Sequence, residues 1–365
     1  MTDESLTTFV ENVCGTSHLR VEDDLGDGFV RLLSSEAERR QAQHDIRSTE
    51  DIIIEMLRNA RDAHAKNIFV ATHKEGDVRH IVMVDDGDGI PDSMHERIFE
   101  PRVTSKLDTI HMDTWGVHGR GMALFSIATN TEEARVVASD SDKGSALVIK
   151  SNTRKLPEKT DQSTFPVASV TPEGKITFRG PKNILRTICE FSFTHRKECS
   201  VYCGSTTDIA ATLYAYGKAT LTSHARLFGA QEDEFPLCKR LCLNSDPESF
   251  VECAARLGLM ISERSARRIL DGQIKPLGSM YEMIALAVVE STQDKSEKAR
   301  GASKEKQNRG SKLKISPDDI HVFEESVHNA FDELADRYYL QRNVAIETQV
   351  KSDGLHIVIP FQKTE

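Results

Sequence analysis

Along residues 48–150 the hydrophobic pattern switches repeatedly between the helical period and the extended one. The segment RSTEDIIIEMLRNARDAHAKNIFVAT, residues 47–72, opens with Ser48 three residues before Asp51, a capping-box-like start, and runs into Ile52, Ile53 and Ile54. Apolar residues continue at Met56, Leu57, Ala60 and Ala63, so the spacing predicts a largely buried helix. Residues 67–72 then read as a strand, Glu75-Gly76-Asp77 as a turn, and 78–84 as a second strand. Its run Ile81-Val82-Met83-Val84 suits burial on both faces. Further on, a glycine-rich stretch opens an apolar helix expected over 122–129.

The flanks carry weaker patterns. Residues 1–47 read as an N-terminal strap followed by a solvated charged helix over 36–47. Residues 151–172 are polar with prolines, as in a boundary loop. After a short strand over 175–179, residues 173–290 are expected to form a mainly helical domain. In it, 249–272 shows two short helical patterns around Gly258, with Ala254, Arg264, Arg267 and Arg268 arranged as in a helix-turn-helix; an ordinary helical hairpin packed on the preceding domain fits the same pattern. The stretch 291–314 has no aromatic residue and a basic excess, and reads as a disordered linker that can contact phosphates or act as a solvated tether. Residues 315–365 should hold a helix over 317–340 and two alternating runs, 344–350 and 355–361, joined at Ser352-Asp353-Gly354 as a β-hairpin. The fold class expected is α+β.

Composition narrows the function classes. Of the 365 residues 38% are hydrophobic and 28% charged, an ordinary globular balance. No run approaches the ~18–20 apolar residues that span a bilayer, so no membrane partner is expected. The first residues lack the basic flank and apolar stretch of a secretory signal, and a cytoplasmic setting follows as the expectation. A formal charge of −10 argues against a protein that coats nucleic acid over its whole surface, while leaving room for a local basic patch. Seven cysteines suggest free thiols. Two CxxxC pairs, Cys199 with Cys203 and Cys238 with Cys242, leave open a structural zinc or simply buried thiols.

The candidate chemistry begins on the first buried helix. Glu55, Asn59 and Asp62 recur at i, i+4 and i+7 and share one face. Two carboxylates and an amide on a buried helix need partners, either a salt-bridged protein face or a ligand with cationic and hydrogen-bonding groups. The second strand ends in Asp85-Asp86-Gly87-Asp88-Gly89-Ile90-Pro91. Its glycines allow a sharp turn against a ligand, and a carboxylate at the strand end can accept a hydrogen bond from an exocyclic amine such as that of adenine. The spacing and closing glutamate of an EF-hand calcium loop are missing. Thr104-Ser105-Lys106 follows, and then Gly116-Val117-His118-Gly119-Arg120-Gly121-Met122. Clustered glycines before a helix expose backbone N–H groups to a phosphate. A Rossmann fingerprint does not fit, because the cluster does not directly follow a strand of a βαβ unit, and no Walker A GK[ST] is present.

The order of these parts resembles the GHKL (Bergerat-fold) ATPase superfamily: Glu-x3-Asn-x2-Asp-Ala, Asp-x-Gly-x-Gly, Thr-Ser-Lys, then Gly-x2-Gly-x-Gly. Locally, EMLRNARDAHAKNIFV and the later TSK are similar to MutL-like and type IIB topoisomerase B-like members. The resemblance covers about residues 45–150. It implies a Bergerat α/β sandwich over 1–160, with ATP and Mg2+ as ligands. By position it assigns Asn59 to the magnesium, Asp85 to the adenine amine, Asp62 to the adenine-side water network, and Gly87, Gly89 and Ile90 to the turn beside the base. The same match assigns Gly116, Gly119 and Gly121, with Val117, His118, Arg120 and Met122, to the phosphate loop beneath a mobile lid. Lys106 would approach the phosphates, and Gly144-Ser145 would close the pocket. Glu55 matches the glutamate that orients and deprotonates water in the hydrolysing members.

Two functions fit this reading. In one, ATP binding closes the lid, drives homodimerisation and couples hydrolysis to work on DNA or a DNA-processing partner. In the other, the chain is a nucleotide-gated signalling or chaperone-like module, or a histidine-kinase-like ATPase, with no DNA role. A kinase acting on its own histidine does not fit, because only 15 positions separate His44 from Asn59, too few for an upstream helical hairpin.

Overall fold

The computed structural model describes residues 21–105, 111–113, 116–118, 121–171, 176–222 and 232–287, with parts of 323–360. It forms two compact units, Met1–Ser291 and Thr292–Glu365. Lys106, Gly119, Arg120, the strap before residue 21 and the linker 291–314 lie outside the described residues.

In the first unit, strands β1 (Val21–Gly26) and β2 (Phe29–Leu32) form a hairpin that leads into helices α1 (Glu36–Gln43) and α2 (Thr49–Asp62). Helix α1 is shorter than the charge pattern suggested, because the chain turns inward after Gln43 to bury Ile46. Helix α2 starts at the expected capping box, in which the Ser48 hydroxyl accepts from the Asp51 amide and the Asp51 carboxylate accepts from the Ser48 amide. Next come β3 (Asn67–Glu75), β4 (Val78–Asp85), β5 (Val103–Thr104), β6 (His111–Asp113) and β7 (Gly116–His118). Helix α3 (Ala123–Asn130) and strands β8 (Glu133–Ser139) and β9 (Ser145–Asn152) follow. After these lie β10 (Val167–Val170), β11 (Ile176–Arg179), α4 (Ile184–Thr194) and β12 (Ser200–Gly204).

The main sheet has the order β12-β3-β4-β9-β8. Its four strands β3, β4, β9 and β8 are antiparallel neighbours, and β12 adds to β3 in parallel with Val201 opposite Ile68. Strand β4 is buried on both faces, as its continuous apolar run predicts. Ile81 and Met83 face one core with Ile52, Ile53, Met56 and Leu57 of α2 and with Ile188 and Phe191 of α4. Val82 and Val84 face a second core. The result is an α/β sandwich of the kind expected from the sequence, with α2 and the site-bearing loops on the first face.

Residues beyond 173, expected as a separate helical domain, continue this architecture. Strand β12 completes the main sheet. Helices α5 (Thr206–Thr220), α6 (Leu237–Arg240), α7 (Pro247–Arg256) and α8 (Glu263–Leu270) form a second layer on the opposite face. Ile209, Leu213, Phe250, Ala254, Ala266 and Ile269 pack there against Phe69, Val82, Val84 and Val148. Sequence periodicity gives each helix an apolar face but does not name its partner; the partner is the sheet. The α7–α8 pair thus packs on the domain as a helical hairpin and leaves Arg264, Arg267 and Arg268 exposed. Among the described residues the cysteines are buried thiols without a shared centre. Cys199 and Cys203 belong to the first core and Cys238 to the second, on opposite faces of the sheet. In the second unit, β13 (Glu347–Val350) and β14 (Leu355–Val358) pair antiparallel as the expected hairpin.

If the second layer is integral to the domain, Phe250→Ala, at a fully buried position, should destabilise the whole first unit by about 3–5 kcal/mol. A denaturant titration followed by circular dichroism would measure this. An unchanged midpoint would mean that these helices do not pack on the sheet.

Candidate functional site

Helix α2 buries Ile52, Ile53, Leu57 and Ala60 and turns Glu55, Asn59 and Asp62 toward a cavity of about 540 Å3. The volume lies in the usual range for small-molecule sites. The cavity is bounded by α2, the inner face of β4 and β9 through Met83, Asp85, Ser145 and Leu147, the loop at Gly89-Ile90, Thr104-Ser105, and the start of α3 at Gly121-Met122. The structure therefore brings together Glu55, Asn59, Asp62, Asp85, Gly89, Ile90, Gly121, Met122 and Ser145 from the sequence-derived set. Of the remainder, Gly87 donates its amide to Asp85, and Gly116, Val117 and His118 form β7, which pairs with β6.

Asp85 is the most unusual group in the cavity. It sits at the end of β4 directly opposite Ser145 of β9, and this register explains their hydrogen bond. Ser145 Oγ donates to Asp85 Oδ2 at 2.5 Å, and the Gly87 amide donates to Oδ1 at 2.9 Å. Burial pushes the carboxyl up to about 6, against the pull of these two donors. The loop after it is held from three sides. The Asp88 amide donates to Ala63 O at 2.8 Å, the Asp142 amide to Asp88 O at 2.7 Å, and the Ile90 amide to Ser139 Oγ at 2.7 Å. Gly89 has φ of +77°, and a Cβ there would lie 1.9 Å from Asp140 O; at Gly144, with φ of +86°, it would lie 2.0 Å from Asp85 O. No other residue fits this approach of backbone to backbone.

The three aspartates of the loop have separate duties. Asp85 faces the cavity. Asp86 Oδ1 accepts from the amides of Lys66 and Asn67, both at 2.7 Å, and so pins the loop to the start of β3. Asp88 is exposed and pairs with His64 at 2.8 Å. They do not converge as cation ligands would.

The salt-bridged face that the sequence left open on helix α2 is formed, and a further contact, at Arg102, had no signal in the sequence. Arg58, buried on α2, forms an ion pair with Glu55 one turn away, and Arg61 pairs with Asp62 at 2.7 Å. The i, i+3 spacing of Glu55 and Arg58 permits this contact, but spacing alone does not tell a buried arginine from a solvated one. Arg102, with φ of +63°, is buried in an ion pair with Glu38 of α1, and its amide donates to Gly121 O at 2.9 Å. This ties the glycine stretch before α3 to the N-terminal helix.

The lining fits a magnesium nucleotide. Its described ionisable groups are Asp45, Asp51, Glu55, Asp62, Asp85 and Asp88 against Arg58. So acidic a cavity repels a bare polyphosphate and favours one accompanied by a divalent cation. Helix α3 starts at Met122 with no side-chain cap from the described residues, and its N-terminal end borders the cavity, where a helix start favours an anion. At the other end, the buried Asp85 acceptor lies among Met83, Ile90 and Leu147, as a flat apolar base with one amine requires.

Residues 44–155 match the family model "Histidine kinase-, DNA gyrase B-, and HSP90-like ATPase". Over 81 residues the chain is 40% identical to the DNA mismatch repair protein MutL of Lactiplantibacillus plantarum, a match covering 21% of this chain and 12% of that protein. MutL of Clostridium perfringens is 34% identical over 103 residues, 27% of this chain and 15% of that protein. A solved structure described as the N-terminal domain of a DNA repair protein is similar over 42% of this chain and 58% of that chain, at 16% identity and a TM-score of 0.24. Residues 44–155 are thus similar to the GHKL ATPase family, and the chain's matches span under a sixth of the length of these MutL relatives.

The raised Asp85 carboxyl has a signed consequence. Its native value exceeds the unfolded one, so ionised Asp85 costs stability above pH 6, by about 3 kcal/mol. That cost fades as pH falls toward the unfolded value. Asp85→Asn should therefore raise the denaturant midpoint of the ligand-free protein at pH 8 and lose that advantage by pH 4. A variant less stable than wild type at pH 8 would contradict the assignment of a strained, buried carboxylate.

Proposed function

We propose that this protein binds ATP with Mg2+ and hydrolyses it, and that closure over the nucleotide drives homodimerisation. The observation that carries the reading is the single cavity in which the Glu55–Asn59–Asp62 stripe faces the buried Asp85–Ser145 pair. Asp85 accepts from the adenine amine, with Asp62 supporting the adjacent water and Gly87, Gly89 and Ile90 flanking the base. Asn59 would hold the magnesium. Magnesium supplies charge neutralisation at the phosphates. By the family resemblance, residues of the Gly116–Met122 stretch and Lys106 are assigned to the phosphates. Glu55 takes a proton from water as the water oxygen bonds to the terminal phosphorus and the bond from that phosphorus to the departing ADP oxygen breaks.

The similarity to DNA mismatch repair proteins MutL supports a setting in DNA processing, with DNA or a DNA-processing protein as partner; the cytoplasm is proposed on the sequence reading alone. Arg264, Arg267 and Arg268 on the outward side of α8 offer a basic face for phosphates. A second reading, a nucleotide-gated module that turns over slowly, draws on the Arg58–Glu55 ion pair, in which the guanidinium competes with water for the carboxylate.

Glu55→Gln should keep ATP affinity within about threefold while lowering turnover by at least the 10²–10⁴ typical of a lost general base. Measuring nucleotide binding by calorimetry beside phosphate release separates the two effects, and normal turnover in this variant would dismiss Glu55 as the base. Independently, Arg267→Ala/Arg268→Ala should weaken duplex DNA binding at low salt and flatten its salt dependence. An unchanged DNA isotherm, or none for wild type, would favour the module without a DNA role.

A further inference from the structure

Toward the turn of the β3–β4 hairpin, at the opposite end of β4 from Asp85, His73 and His80 occupy opposite positions on adjacent antiparallel strands. Their rings stack with centroids 4.6 Å apart and planes inclined by 7°. Glu75 is two residues beyond His73 on the same face of the strand, and its Oε2 lies 3.9 Å from His80 Nε2. One ligand atom from each of the three lies within 4.8 Å of the others. Among the described residues this is the only group of three or more histidine, cysteine, aspartate or glutamate side chains that meets so closely.

The surroundings suit an ion. His73 Nδ1 lies 3.3 Å from the Thr206 hydroxyl at the start of α5, which orients the ring and leaves Nε2 as the nitrogen offered to a ligand. The neighbouring cations of the hairpin are directed elsewhere: Lys74 and Arg79 alternate to the other face, where both bind Glu158, at 3.0 and 2.8 Å. His73 and Glu75 are exposed and His80 is half-buried, so an ion can enter from solvent and retain water. Two imidazoles and one carboxylate form the ligand set used by three-ligand zinc sites, which leave a fourth position for water.

The geometry points to a surface site for a divalent late transition ion, of which Zn2+ is the representative, formed by His73, Glu75 and His80 with Thr206 as the orienting partner of His73. Binding requires small side-chain rotations that bring the ring nitrogens to about 2.0–2.1 Å from the metal. The ion would clasp β3 to β4 at the edge of the second helical layer. This site does not depend on the nucleotide reading.

The test uses the full chain, stripped with a chelator and free of nucleotide. Zn2+ titrated by calorimetry should bind one ion per chain at these residues, and Co2+ should give the visible absorption of a low-symmetry site. Glu75→Gln, at an exposed position, should weaken Zn2+ binding by at least tenfold, and His73→Asn/His80→Asn should abolish it. Thr206→Val should weaken it by about 10-fold, within the range for orienting partners. Circular dichroism without metal verifies that each variant is folded. Absence of saturable Zn2+ binding to wild type, or equal binding by the folded double-histidine variant, would overturn the site and leave the histidines as a cross-strand ring contact.

Discussion

The buried carboxylate of Asp85 is held where the ends of β4 and β9, the C-terminus of α2 and the β8–β9 turn all meet. That meeting requires backbone to press on backbone: Gly89 against Asp140 O and Gly144 against Asp85 O, each in the left-handed region. With side chains absent there, Ser145 and the Gly87 amide can approach Asp85 and keep a charged group where burial alone would neutralise it. The loop between them is pinned through Asp86 to β3 and through Asp88 to Ala63 O. The acceptor end of the cavity is therefore formed in advance, with no bound ligand needed to organise it.

The opposite wall depends on a different constraint. Helix α2 packs its apolar residues into the first core, and the Glu55–Asn59–Asp62 line lies on the face that borders the cavity, with Asp51, Ile54 and Arg58 beside it. Arginines at 58 and 61 accompany the acids of that line, so the stripe is charge-balanced within the protein itself. The two ends of the cavity thus differ in character. One is a rigid backbone cradle around a single acceptor, and the other a set of paired side chains whose partners can exchange.

The second helical layer alters the meaning of the sheet. A strand such as β4, apolar at four successive positions, needs cover on both faces. Helices α2 and α4 cover one and α5–α8 cover the other, so the segment beyond 173 is continuous with the α/β sandwich through β12. The arginines of α8 are consequently carried on a helix anchored to the same sheet that ends in Asp85.

Much of the site was legible in sequence because its signals are local. A capping box, a polar stripe at helical spacing, a strand ending in Asp-Asp-Gly-Asp-Gly and a glycine cluster each depend on residues within a few positions of one another, where backbone geometry dictates which side chains share a face. Contacts between distant segments were not legible in that way. Ser145 meets Asp85 only through the β4–β9 register, Arg102 meets Glu38 across 64 positions, and His73 meets His80 only once the hairpin pairs. The two CxxxC pairs look alike in sequence yet fall on opposite faces of the sheet, because a strand and a helix carry the same spacing to different places. The amino-acid sequence by itself determined which residues are hydrophobic, which can turn, and which lie together on one helix or strand. Tertiary structure alone decided which faces meet, since packing joins segments by shape and register rather than by their distance along the chain.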